Sequence, residues 1–220
     1  GRVFAAELTA TSPTCKISYS DDDGKTWVAS PGTLGSGIDH ETVGGGPYHA
    51  PLTGTPAYPN AVYYCSQDLV AAFCLRSDDG GAHWGPVVPI YTSECDGLHG
   101  HVKVSPKDGT VYVPNNNCGA GIGAVVASED NGITWQVRPV KNATFQTSFG
   151  SSDPAVGIDN NGRVYFALAN ADAAMAVATS DDHGNTWNNI FDVSGVYGLK
   201  NVRYPAAVAA DGVSGNPNSG

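Results

Sequence analysis

Short apolar runs recur along the chain at Cys15–Tyr19, Ala71–Leu75, Ala124–Ala127 and Met175–Ala178. A second set mixes Val with aromatics: Val3-Phe4, Ala61–Tyr64, Val111–Val113 and Val164–Phe166. A third set is shorter still, around Pro56-Ala57, His101–Val104, Pro154–Gly157 and Pro205–Val208. β-Branched and aromatic residues in runs this short, bounded by Gly, Asp, Asn and Ser, predict β-strands joined by turns. Gly-turns such as Asp108-Gly109 and Asn161-Gly162 separate the third kind of run from the second.

After each run of the first set comes an octapeptide of one pattern, S-x-D-x-G-x-(T or H)-W. Its copies are Ser20–Trp27, Ser77–Trp84, Ser128–Trp135 and Ser180–Trp187, and they use all 4 tryptophans of the chain. The Trp spacings, 84−27 = 57, 135−84 = 51 and 187−135 = 52, mark a repeat architecture. Each residue type has a local task. Ser20, Ser77, Ser128 and Ser180, with Asp22, Asp79, Asp130 and Asp182, accept hydrogen bonds from nearby backbone N–H groups and close the turn from inside. Gly24, Gly81, Gly132 and Gly184 suit a backbone with positive φ. Trp27, Trp84, Trp135 and Trp187 open the returning strand, and burial in the core is expected of them. The second copy has His83 where the others have Thr.

One repeat therefore reads as four antiparallel strands: first strand, Gly-turn, Val-Tyr strand, loop, apolar strand, octapeptide turn, Trp strand. Four-stranded sheets set radially are propeller blades, so the fold class is an all-β propeller with about four blades in residues 1–212 and a linker-like tail at 213–220. Two closures remain open. Residues 203–212 supply the strand missing ahead of Gly1 and close a four-bladed ring, or the chain is part of a larger propeller.

Composition narrows the function. A net charge of −10 with no basic run argues against nucleic acid and anionic membrane surfaces as partners, and no apolar stretch approaches the length of a membrane span. None of the 5 cysteines forms a C-x-x-C pair, so zinc-ribbon and thioredoxin chemistry is not indicated, and no cofactor is expected. Cys65 with Cys74 and Cys95 with Cys118 lie on neighbouring strands and are expected to pair, leaving Cys15 over; free thiols are the alternative. Two disulfides place the protein in a secreted or extracytoplasmic setting.

The octapeptide resembles the Asp-box, or BNR repeat, of the sialidase-like (neuraminidase superfamily) β-propellers. That resemblance implies six or seven blades in all, and an activity on terminal acidic sugars as a glycoside hydrolase. The alternative is a non-catalytic propeller that binds glycan or protein. Strand alternation puts the boxes and Gly-turns on one face and the long, dissimilar loops on the other, where binding is expected. Polar residues near the starts of the innermost strands are then the candidates: Tyr48, His49, Glu94, Asp96, His99, His101, Asp153, Arg203 and Tyr204. Asp96 suits a general acid if desolvated. His99 and His101, two apart, would point the same way in an extended segment, but without a third ligand no metal site is assigned. Val202-Arg203-Tyr204-Pro205 matches the Arg-x-Pro form of the resemblance, making Arg203 a candidate carboxylate clamp and Tyr204 a positional candidate for the nucleophile, with Asp96 or Asp153 as acid. Tyr48, His49, His99 and His101 would bind substrate. The remaining arginines do not sit at inner-strand starts, so no three-arginine clamp can be assembled from this chain.

Overall fold

A computed structural model describes residues 1–7, 16–30, 39–67, 71–96, 99–119, 121–144, 153–169 and 174–202. The strands form four antiparallel meanders, the blades of a β-propeller. The first holds β1 (Val3–Glu7), β2 (Lys16–Ser20) and β3 (Val28–Ser30). The second holds β4 (Asp39–Gly46), β5 (Ala61–Gln67), β6 (Ala72–Ser77) and β7 (Val88–Tyr91). In the third are β8 (Lys103–Val104), β9 (Val111–Asn115), β10 (Ile122–Ser128) and β11 (Gln136–Thr144). The fourth has β12 (Ala155–Ile158), β13 (Val164–Ala169), β14 (Met175–Ser180) and β15 (Asn188–Asp192). One short helix, α1 (Val193–Tyr197), follows, N-capped by the Asp192 carboxylate. All four octapeptides connect the last two strands of a blade.

The period of two explains the cores, because middle strands bury both of their faces. Tyr63 and Cys65 of β5 pack with Val111 and Val113 of β9 between the second and third blades. Tyr64, one residue along β5, points the other way, to Ile17 and Leu75 beside the first blade. Likewise Tyr112 of β9 turns toward Val156, Phe166 and Leu168 of the fourth blade. Each fully buried side chain of this kind contributes about 1.5–3 kcal/mol. Around the axis the inner strands approach closely. A Cβ at Gly44 of β4 would lie 2.7 Å from the Val102 carbonyl oxygen, and one at Gly100 would lie 2.0 Å from that of Pro154.

The first strand of the second blade is β4, and not a segment at Pro56-Ala57, which lies in the connection to β5. Three consecutive glycines, Gly44 to Gly46, hide that strand from a reading based on apolar alternation. The tryptophans also differ from expectation. Trp27 is 46% exposed, and Trp84, Trp135 and Trp187 are only partly buried. The last strand of a meander is the outermost, so its first side chain folds over the turn; Trp84 and Trp187 present edges to Tyr64 and Phe166. The expected pairs Cys65–Cys74 and Cys95–Cys118 are disulfides. Cys15, the run Pro205–Val208 and the tail lie outside the described residues.

Candidate functional site

The two ends of the propeller use their polar groups differently. On the box side every turn repeats one network. The Ser20 hydroxyl donates to Asp22 (2.8 Å) and accepts from the Gly24 N–H (2.8 Å), while Asp22 accepts from the Thr26 N–H and hydroxyl (2.8 and 2.7 Å). Ser128–Asp130–Thr134 and Ser180–Asp182–Thr186 do the same. In the second box Asp79 takes the ring Nδ1 of His83 at 2.6 Å in place of a hydroxyl. The Thr26 N–H, then its hydroxyl, pull the Asp22 carboxyl down to about 2. Burial pushes Asp79, Asp130 and Asp182 up, and donated hydrogen bonds outweigh it, leaving all three below the usual carboxylate range.

The arginines complete this face. Arg2, Arg76, Arg138 and Arg163 each pair with the acidic second residue of their own box: Asp21, Asp78, Glu129 and Asp181. Three reach on to the fourth residue of the next box: Arg2 to the Gly80 carbonyl (2.6 Å), Arg76 to that of Asn131 (2.7 Å) and Arg138 to that of His183 (2.6 Å). These guanidinium groups come from different strands yet latch blade to blade in one manner. None faces the opposite end.

At that opposite end the inner-strand starts gather another kind of cluster. His40 Nδ1 lies 3.3 Å from Asp153 Oδ2, and its ring meets His99 edge-on at 5.9 Å. The β4–β5 register shifts between Asp39 and Thr42, so His40 and Glu41 form a bulge, and His40 has φ +55°. Positive φ is uncommon outside Gly, and bulges re-aim side chains beside sites. The bulge turns the His40 ring to Asp153 of the fourth blade. The Asp153 hydrogen bond, opposed by burial, raises the His40 pKa. His99 behaves oppositely: its burial depresses the pKa to about 4. Its Nδ1 contacts the Gly100 carbonyl at 2.9 Å, so the ring is neutral and Nδ1 carries the proton. His99 Nε2, Asp153 Oδ1 and Glu41 Oε1 are buried without a hydrogen-bond partner among the described residues. Two imidazoles held apart in affinity for protons, beside an unsatisfied carboxylate, form an arrangement suited to holding hydroxyl groups or moving a proton.

Sequence reasoning placed the candidates unevenly. His99, His101 and Asp153 do lie at this end. His101 is exposed, with Nδ1 3.3 Å from the Thr42 hydroxyl, whereas His99 is buried, so the two do not act as a pair. Asp96 is exposed and accepts a hydrogen bond from the Asn117 amide, so it lacks the burial on which its reading as a general acid depended. Glu94 caps the N–H groups of Thr92 and Ser93. Tyr48 and His49 sit at the other end, because they follow β4: the Asn131 side chain of the third box clamps the His49 N–H (2.7 Å) and carbonyl (2.9 Å). Tyr48 packs on the core, and burial pushes its pKa up to about 12. Arg203 and Tyr204 lie outside the described residues. His40 and Glu41 were missed. A signal existed: the interval from the preceding Trp is 99−84 = 15, 153−135 = 18 and 203−187 = 16 for the candidates, and 40−27 = 13 for His40. Among the described residues no group of three or more His, Cys, Asp or Glu is arranged to hold a metal ion.

Repeated box turns on a radial meander define a BNR-repeat propeller. The model of the BNR repeat-like domain matches residues 6–214, and the chain belongs to that family. Among solved structures, a mutant NanB sialidase from Streptococcus pneumoniae is similar at a TM-score of 0.55 and 17% identity, over 81% of this chain and 28% of that one. NanB sialidase bound to 2-[(3-chlorobenzyl)ammonio]ethanesulfonate gives 0.54, 17%, 81% and 28%. Trypanosoma rangeli sialidase gives 0.49, 19%, 83% and 33%. This chain therefore spans about 28% of the length of the NanB chains it matches, and at such identity the likeness shows the fold. No curated protein sequence matches it. No helix among the described residues is long and apolar enough to cross a membrane.

Proposed function

We propose that this chain is a glycan-binding propeller segment that takes sugar hydroxyls at the loop-rich end, around His40, His99 and Asp153. One contrast carries the reading. Each arginine of the described blades is held by a box-side carboxylate, while Asp153 and Glu41 each keep a carboxylate oxygen without a partner among the described residues. A sialidase needs guanidinium groups for the substrate carboxylate; a binder of sugar hydroxyls needs carboxylate and imidazole acceptors. The two disulfides support a working place in an oxidising, extracytoplasmic compartment.

A hydrolytic reading is favoured by one observation, the His40–Asp153 contact of 3.3 Å, which positions a carboxylate for proton transfer. In that reading Asp153 is the acid, Tyr204 the nucleophile and Arg203 the clamp, with further arginines coming from outside these blades.

Glycan-array binding and turnover of a fluorogenic sialoside, measured on the parent, Asp153→Ala and Arg203→Ala, separate the two. The binding reading expects no turnover and a loss of glycan binding of at least about tenfold in Asp153→Ala, equivalent to 1.4 kcal/mol. Sialoside turnover in the parent that both variants abolish would establish the hydrolase instead.

A further inference from the structure

The second blade departs from its neighbours twice, and both departures meet in one place. Its connection between first and second strands, residues 47–60, has 60−47+1 = 14 residues, against 110−105+1 = 6 for β8–β9 and 163−159+1 = 5 for β12–β13. That connection arches over the second box and is pinned at both ends: the Asn131 amide holds His49, and the Tyr58 N–H donates to the Asp78 carbonyl at 3.0 Å. Beneath it lies a cleft of about 390 Å³, walled by Pro56 and Trp84 and bordered by Arg76, Asp78, Asp79 and His83. That volume falls within the ~300–1,000 Å³ of small-molecule sites.

The second departure is His83. In the other boxes a Thr hydroxyl closes the turn onto the central Asp at 2.7, 2.5 and 2.6 Å. His83 makes the same contact through Nδ1 at 2.6 Å with an 82% exposed side chain. The turn needs only what Thr supplies. The imidazole adds an outward Nε2, whose orientation is fixed by the Asp79 carboxylate on the other nitrogen. With Nδ1–H donated to Asp79, Nε2 accepts from a sugar hydroxyl in the neutral ring and donates to one in the charged ring.

We propose that this cleft is a second binding site, on the box side, for a neutral hexose unit. Asp78 and Asp79 provide acceptors for sugar hydroxyls, and His83 Nε2 hydrogen-bonds to a further one. Trp84 and Pro56 provide an apolar wall for the C–H face of a pyranose. Anionic sugars are disfavoured, because the cleft's guanidinium is already engaged. Arg76 Nε and Nη2 contact Asp78 at 2.8 and 3.1 Å, and Nη1 donates to the Asn131 carbonyl at 2.7 Å. Trp84 is also held differently from its counterparts. Its Nε1 donates to Ser30 of the first blade at 2.8 Å, whereas Trp27 and Trp135 donate to their own box glycine. The wall is thus anchored from a neighbouring blade.

The test is a titration of the intact chain with the methyl glycosides of galactose, glucose and mannose, and with the methyl glycoside of N-acetylneuraminic acid. Saturation-transfer NMR and the His83 imidazole signals are the readouts. Asp153→Ala, which removes the loop-rich site, and the double variant Asp153→Ala/His83→Thr are compared with the parent. His83→Thr restores the residue type of the other boxes, so its thermal midpoint should match that of the protein it is introduced into. The expected result is a saturable shift of the His83 signals by at least one neutral glycoside, in the parent and in Asp153→Ala alike. Saturation transfer should be at least about tenfold weaker in the double variant than in Asp153→Ala. Three outcomes would overturn the site: no neutral glycoside shifts His83, the double variant binds as well as Asp153→Ala, or the anionic glycoside shifts His83 at lower concentration. Disappearance of the His83 shift in Asp153→Ala would likewise overturn it, by assigning the sugar to the loop-rich end.

Discussion

The two ends of this propeller solve the same problem, closing strands into blades, by different means. At the box end, eight-residue turns carry their own hydrogen bonds, and arginines fasten each turn to the next. Among the described residues of the loop-rich end no such pattern repeats. There two disulfides, Cys65–Cys74 and Cys95–Cys118, tie strand ends together, and buried polar atoms of Glu41, His99 and Asp153 lack partners among the described residues. The box end also leaves buried groups without a partner among the described residues, but these are N–H and hydroxyl groups such as Arg138 Nε, Trp187 Nε1 and the Tyr48 hydroxyl. Its carboxylates are taken by the box turns and arginines. The loop-rich end leaves carboxylate and imidazole atoms of Glu41, Asp153 and His99 open among the described residues, and the proposed site rests on that difference in kind.

If disulfides rather than turn networks hold the loop-rich end, reduction should act there first. Cleaving the bonds, which close separations of 9 and 23 residues, should cost about 3 kcal/mol each by loop entropy. Hydrogen exchange should then rise at Tyr64 and Asn115 before it rises at Gly132 and Gly184. Uniform exchange across both ends would break the comparison.

The buried imidazole should make acid stability a property of the loop-rich end. An unfolded His titrates near 6.5, and native His99 near 4. The unfolded chain therefore takes up a proton that the native state refuses, and stability falls as pH drops from about 6.5 to about 4, by about 3 kcal/mol. His40 has the opposite sign. Its raised pKa contributes stability that is full below about 6.5 and is lost as pH rises through the native value. Denaturant melts against pH should thus show a shallower acid limb in His99→Leu, and in Asp153→Asn, which removes the partner of His40, a smaller decline as pH rises above about 6.5. Identical limbs in all three proteins would remove the imidazoles from the account.

Two arginine variants grade the box end by burial. Arg138→Ala removes contacts at 2.5 Å to Glu129 and 2.6 Å to the His183 carbonyl. Its expected cost is about 2–3 kcal/mol, below that of a fully buried pair, because Glu129 is 37% exposed. Arg163→Ala breaks a pair whose members are 48% and 52% exposed, and less than about 1 kcal/mol should be lost. Equal losses in urea melts would show that the latches do not depend on their place between blades.

The same contrast explains what was legible in the sequence. A box turn is complete within eight residues, so Ser128, Asp130, Gly132 and Thr134 announce it by local chemistry alone. The disulfides were readable because cysteine neighbours across a hairpin follow from strand order. His40 was not, since its place depends on a bulge and on an inner strand containing three glycines, neither of which carries a periodic signal. The swap of Tyr48 and His49 to the box end follows from that one displaced strand. Trp burial was misjudged because a Trp at the start of an outermost strand packs over its turn, as Trp27 does, and strand order across a blade is a tertiary property.

The central claim, that the loop-rich end takes glycan through His40, His99 and Asp153, is most directly tested by imidazole NMR during titration with the array glycan whose binding Asp153→Ala weakens most. His183 is the internal reference, held on the box side by Asp108 at 3.0 Å and Glu129 at 3.4 Å. The account predicts that the His40 and His99 signals shift to saturation together while His183 stays still. Glycan binding that shifts His183 and leaves His40 and His99 unmoved would contradict it.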